Sequence, residues 1–184
     1  MRHHKHPGLA GSFDPATREI IAHPDAADPD RLQQVWIPLP EADGRSLDSV
    51  EGLACVPTRE GAVRVVAVPH LASDLALGDE LAVGVWENDL IARGPLASSL
   101  HGTVRIVGSA EGDWSWQVLA AQLDPIIRTA CQGSADQPWY DVIAETSLAI
   151  SVPRVALPDV FAWLHAADPQ TLRWEYATAM RHPA

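Results

Sequence analysis

Thr103-Val104-Arg105-Ile106-Val107 places Val104 and Ile106 on one face, as a strand does. The period then changes: Trp116, Leu119, Ala120, Leu123, Ile127 and Ala130 recur at helical spacing, with Asp113 or Ser115 as candidate cap. Pro125 inside that pattern predicts a kink, or a restart with Asp124 as the new cap, and Gly133 ends the helix. From Tyr140 to Val152 the even-numbered positions are mostly apolar, while Asp141, Glu145, Ser147 and Ser151 line the odd ones. That pattern predicts one buried face and one wet face. Pro158 opens a second helix with Val160, Phe161 and Leu164 as its stripe, and Asp168-Pro169 closes it. Leu172, Trp174 and Tyr176 then alternate in a final strand. If the long Tyr140–Val152 segment breaks near Thr146 the unit is ferredoxin-like; otherwise it is a smaller βαβαβ unit.

Toward the N-terminus the pattern is shorter and punctuated by turns. Val35, Ile37 and Leu39 alternate with Trp36 and Pro38 in a strand ending at Pro40. Gly52 to Val56 and Val63 to Val68 read as a hairpin, and Leu81 to Trp86 with Leu90 to Ala92 as another across Glu87-Asn88-Asp89. Short antiparallel strands at this spacing curl into a small barrel or a strongly twisted sheet. In the Leu77-Gly78-Asp79-Glu80 turn the glycine supplies a positive φ and the acids are expected in solvent. Asp14-Pro15, His23-Pro24-Asp25 and Asp28-Pro29-Asp30 interrupt the first thirty residues, leaving at most one helical turn from Asp14 to Ile21.

The expected fold class is therefore α+β. A small antiparallel, barrel-like β-rich part (34–100) precedes a ferredoxin-like or βαβαβ two-layer α/β part (101–180). A flexible arm rich in Pro, Asp and His (1–33) comes first and is expected to be dispensable for folding.

With 24 acidic and 13 basic residues the net charge is −11, and Lys5 is the sole lysine. Nucleic-acid binding rests on clustered lysine and arginine, so that class is excluded. An acidic surface instead suits solubility or a basic protein partner steered by long-range attraction. Cys55 and Cys131 show no metal or disulfide spacing and are expected reduced and packed. No apolar run has the length of a membrane span, and the N-terminus lacks the apolar stretch of a secretory signal, so the cytoplasm is expected. His3, His4 and His6 suit copper or nickel only as adventitious tail ligands, and His70 and His101 lack a third ligand at metal spacing. No metal or cofactor is expected.

Five segments in order are Val35-Trp36-Ile37-Pro38-Leu39, Val50-Glu51-Gly52-Leu53-Ala54, Val68-Pro69, Leu77-Gly78-Asp79 and His101-Gly102-Thr103-Val104-Arg105. With Ala149-Ile150-Ser151-Val152-Pro153 and Trp174-Glu175-Tyr176, they resemble the bacterial family known as domain of unknown function 4265, over about Gln34 to Ala177. Two positions depart from it. His70 stands where an aromatic residue is expected after Val68-Pro69, and Glu51-Gly52-Leu53-Ala54 replaces a Glu-Ser-Leu-Trp pattern. The resemblance implies a fold and no known catalytic activity.

No nucleophile elbow or phosphate-cradling glycine loop is present in the sequence. His101 is the candidate general base, with Asp79 and Glu51 as available carboxylates; its structural role would be to bond a carbonyl at the strand entry. Trp116 and Trp174 are expected in the core. Trp139 and Trp163, beside Gln137, Asp141, Asp159 and His165, are expected partly exposed and suited to a partner. The expected function is a non-catalytic acidic protein that neutralises or regulates a bacterial protein partner, such as an immunity protein for a toxin. The alternative is an enzyme or small-ligand domain using a groove between the two parts, with Asp79, His101 and Arg105 near it.

Overall fold

The computed structural model describes residues 2–5, 10–24, 28–39, 49–109 and 112–177. Among these residues, two six-stranded sheets and two α-helices make up an α+β fold. The first sheet is built on five consecutive strands: β4 (Gln33–Leu39), β5 (Ser49–Arg59), β6 (Ala62–Val65), β7 (Glu80–Trp86) and β8 (Asp89–Ala97). Each pairs antiparallel with the next, and β1 (Arg2–Lys5) adds in parallel to β5. An up-and-down run of five strands leaves the first and last pointing the same way. Accordingly β4 and β8 meet in parallel and close the ring of pairings. Inside the ring lie Val35, Ile37, Leu53, Cys55, Val63, Val65 and Leu81. Cys55 is an inert core thiol whose pKa burial pushes up to about 12.

The second sheet has the order β12-β9-β11-β10-β2-β3. Its strands are β9 (His101–Gly108), β10 (Trp139–Ala144), β11 (Ser147–Pro153) and β12 (Leu172–Ala177), with β2 (Gly11–Asp14) and β3 (Glu19–Ala22) at one edge. The long apolar segment does break at Glu145-Thr146, and its halves pair antiparallel as β10 and β11. Helix α1 (Trp116–Ala130) follows β9, and α2 (Leu157–Ala166) follows β11. Both contribute to one apolar core with Val104, Ile106, Leu148, Ile150 and Val152 on the sheet. Ser115 caps α1 by accepting from Val118 N–H at 3.2 Å.

Three expectations are corrected. Pro125 does not restart α1: the helix runs through it, because Asp124 is held inside the fold rather than free to cap. Asp124 accepts from Tyr140 Oη at 3.0 Å and from Arg128 Nε at 2.6 Å, contacts that fix both sides of the proline. Burial and then the Asp124 carboxylate hold the Tyr140 phenol well above its ordinary pKa.

Of the residues expected on a wet face, Asp141, Ser147 and Ser151 are buried, and Glu145 in the turn between β10 and β11 is exposed. The connector between β6 and β7 covers that face; Val68 and Leu77 of the connector pack with Ala10, Trp139 and Ala149.

The segment expected to be a flexible arm supplies strands to both sheets, β1 to the first and β2 and β3 to the second. Gly11 of β2 pairs with Tyr140, and β2 continues into a hairpin with β3. Asp14 does not start a helical turn; its carboxylate accepts from Ala16 N–H at 2.9 Å and from Thr17 Oγ1 at 3.1 Å, closing a tight turn. Phe13 enters the helix-side core and meets the Tyr140 ring edge-on at 6.1 Å.

Candidate functional site

The connector from Val66 to Asp79 lies between the two sheets without regular structure of its own, so its backbone groups need partners from elsewhere. Buried polar side chains supply them. Glu51, on β5 and 1% exposed, accepts from the backbone N–H groups of His70 at 2.7 Å, Leu71 at 3.2 Å and Ala72 at 2.7 Å. From the opposite sheet, Arg105 of β9 donates through Nε to Pro69 O at 3.2 Å and through a second nitrogen to Ala72 O. Its third contact is an ion pair with Glu175 of β12 at 2.8 Å. Thr103 Oγ1 donates to Leu75 O at 3.0 Å, and His70 Nε2 lies 3.2 Å from Asp141 Oδ2. The Glu51 carboxylate holds the N–H groups of residues 70–72, and the Arg105 guanidinium holds the carbonyls of Pro69 and Ala72.

Asp79 was expected in solvent. It is buried, and its carboxylate accepts from Ala76 N–H within the connector's turn at 2.9 Å and from Ser99 N–H, between β8 and β9, at 2.6 Å. Gly78 beside it has φ +90°, the positive value the turn requires. His101 lies within β9 rather than ahead of it. It is buried, and its Nδ1 sits 3.0 Å from Ser151 Oγ rather than on a carbonyl.

Thus Asp79, His101 and Arg105 do gather at the junction, but each is engaged in holding backbone or a neighbouring hydroxyl. A Ser–His pair resembles half of a nucleophilic dyad; here both members are buried and on adjacent strands, with Ser151 fully enclosed.

Burial lowers the His101 pKa, against weaker opposing effects of Asp136, the Ser151 hydrogen bond and Asp79. The sign follows directly. The unfolded imidazole protonates near pH 6.5 and the folded one at lower pH, so the neutral ring's contribution is complete above about pH 6.5 and is lost as pH falls toward the folded value. Unfolding free energy should therefore decline on acidification below about pH 6.5, and His101→Gln should flatten that part of the profile. Equal slopes for the two proteins in urea titrations at pH 5 and pH 7 would remove His101 as the cause.

Of the two tryptophans expected to be partly exposed, Trp139 is not. Trp139 is only 9% exposed because it packs between the sheets, with the His23 ring 4.1 Å away. Trp163 is half-buried and meets Trp114 edge-on at 6.1 Å. Trp86, at the tip of the β7–β8 hairpin, is instead 49% exposed beside exposed Val85. Acidic Glu87 and Asp89 follow it, and Glu87 holds φ at 60°, an uncommon value for a residue with a side chain. The sequence signal for Trp86 was its position next to the turn, where a strand end projects beyond its neighbours.

A second concavity, of about 250 Å³, opens where β4 and β8 separate. Ile37, Leu75, Leu81 and Ala92 line it, with Asp74 and Arg93 among the charged lining residues. The sequence showed no sign of it. Among the described residues, no group of three His, Cys, Asp or Glu side chains is disposed to hold a metal, and no helix is long and apolar enough to cross a membrane.

No protein-family model and no curated protein matches the chain. Among solved structures it is similar to the crystal structure of a hypothetical protein from Neisseria gonorrhoeae, with a TM-score of 0.64. The match covers 82% of this chain and 97% of that one at 16% sequence identity, a likeness of fold alone.

Proposed function

We propose that the protein is a non-catalytic binding protein that neutralises or regulates a protein partner, with the exposed Trp86 hairpin as a principal contact. The carrying observation is a large aromatic side chain left half in solvent at the head of an acidic turn. Tryptophans in such settings dominate interface energies, while surrounding charges govern the encounter rate. A net charge of −11 favours a basic partner, and an immunity protein for a toxin is one such role in the cytoplasm. A catalytic reading of the junction draws no support from Asp79, His101 and Arg105, which are committed to internal hydrogen bonds.

In the same reading the two parts are a five-stranded barrel (34–100) and a ferredoxin-like unit (101–180). The ring of pairings supports the first, and the β9-α1-β10-β11-α2-β12 succession with order β12-β9-β11-β10 supports the second. Kinship with the domain of unknown function 4265 family belongs to this proposal and rests on the segments quoted from the sequence.

The test is affinity capture of a partner from lysate of the protein's own cells, then binding kinetics at two salt concentrations. Trp86→Ala should weaken binding at least about tenfold, mostly in the off-rate, and wild-type association should slow as salt rises. Recovery of no protein partner, together with a small molecule retained by the purified chain, would overturn the reading.

A further inference from the structure

We propose that the open seam between β4 and β8 receives an extended peptide segment of the protein partner, which adds a short strand there and seats one large apolar side chain against the barrel core. The proposal rests on the binding-protein reading and names a second contact for it.

The seam is left open by particular residues. The β4–β8 ladder contains only the pairs Val35↔Leu90 and Trp36↔Ile91, whereas β4 runs on to Leu39 and β8 to Ala97. Among the described residues, β4 beyond Trp36 is paired only with β5, and β8 beyond Ile91 only with β7. Two features divert the strands. Arg93 is an extra residue in β8, since Val83 pairs with Ala92 and Ala82 with Gly94, and Gly94 takes φ +151°. On the facing strand Pro38 has no N–H to offer a ladder.

The cleft so formed reaches the barrel interior: Ile37, Ala72, Leu75 and Leu81 belong both to its lining and to the core. At about 250 Å³ it falls below the 300–1,000 Å³ typical of small-molecule pockets, and suits one anchoring side chain with its backbone. Strand edges that lack a neighbour are the recognition element of strand addition, where main-chain bonds give affinity and alternate side chains give specificity. Charge narrows the occupant. Neither Asp74 nor Arg93 makes an ion pair or hydrogen bond with a described residue, whereas Glu51, Asp79, Arg105 and Asp124 all do. A segment with alternating apolar residues, a basic side chain for Asp74 and an acidic one for Arg93 matches both lining and charge.

The experiment pans a random dodecapeptide library on the full-length protein and measures binding of the enriched peptides by fluorescence anisotropy. Two variants block the seam: Ser73→Trp, at an exposed lining position, and Arg93→Glu, at an exposed residue without a described partner. Enriched peptides should carry alternating apolar residues flanked by opposite charges. Each variant should weaken them at least tenfold, and Trp86→Ala should leave them within twofold of wild type. N-methylation along a peptide should abolish binding at alternate positions only, the signature of one bonded strand edge. Retention of affinity in both seam variants, absence of any enriched peptide, or a flat N-methyl scan would each overturn the proposal. The two readings fail separately. A captured partner that requires Trp86 and binds Ser73→Trp and Arg93→Glu normally sinks the seam alone; seam-dependent peptides with no recoverable protein partner sink the binding-protein reading alone.

Discussion

Glu51→Ala should lower the free energy of unfolding by about 3–5 kcal/mol, since it strips the acceptor from three amide groups at once and each unsatisfied buried donor costs about 1–3 kcal/mol. The carboxylate is 1% exposed, and the N–H groups of His70, Leu71 and Ala72 converge on it. Water cannot replace it without opening the junction. Its neighbour Leu53 is fully buried in the ring interior, so a loosened connector uncovers that core as well. Glu51→Gln tests the chemistry at constant volume. One amide oxygen remains, but the new NH2 faces donors, so a loss of at least about 1–2 kcal/mol is expected even here. Urea denaturation of the three proteins measures both. A loss below 1 kcal/mol for the alanine variant would show that Arg105 and Asp79 hold the connector unaided.

Glu51 also marks where sequence reading stops. The periods of β9, α1, β11, α2 and β12 were legible because each element's apolar side chains repeat along the chain itself. The polar junction was not, because its partners lie far apart: Glu51 meets Ala72 across 21 positions, and Arg105 meets Glu175 across 70. Asp141, Ser147 and Ser151 had the alternation of a solvent-facing set. They are buried on the face that the connector packs against, a fact no local period encodes. Trp139 misled for the same reason, its neighbour Asp141 meeting His70 of the connector rather than water. Asp79 and Arg105, chosen as candidate site residues, hold the connector's backbone, whereas His101 meets Ser151 on the neighbouring strand. The seam left no trace at all, since a bulge at Arg93 is a property of two strands in register and not of either one.

The N-terminal segment gives the sharpest contrast between local signal and tertiary outcome. Its prolines do exclude a helix, but β2 is four residues long and fits between them. What anchors it is Phe13, buried against Tyr140 in the same cluster as Leu123 and Ile127. Arg128 adds a tie at 3.3 Å to the Phe13 carbonyl. Phe13→Ala should therefore cost roughly 3–5 kcal/mol, the range for truncating a buried aromatic side chain. Removing residues 1–24 should cost more, because it also uncovers the edge of β10 and the apolar face that Ile20 helps to cover. Glu19→Ala, at an exposed position on β3, is the control and should stay within about 0.5 kcal/mol of wild type. Denaturant midpoints and slopes for the four proteins decide the matter. If the truncated chain unfolds with the wild-type midpoint and cooperativity, the first strands are an appendage and the core closes without Phe13. If Phe13→Ala alone moves the midpoint by most of the truncation's shift, one side chain accounts for the segment's place in the fold.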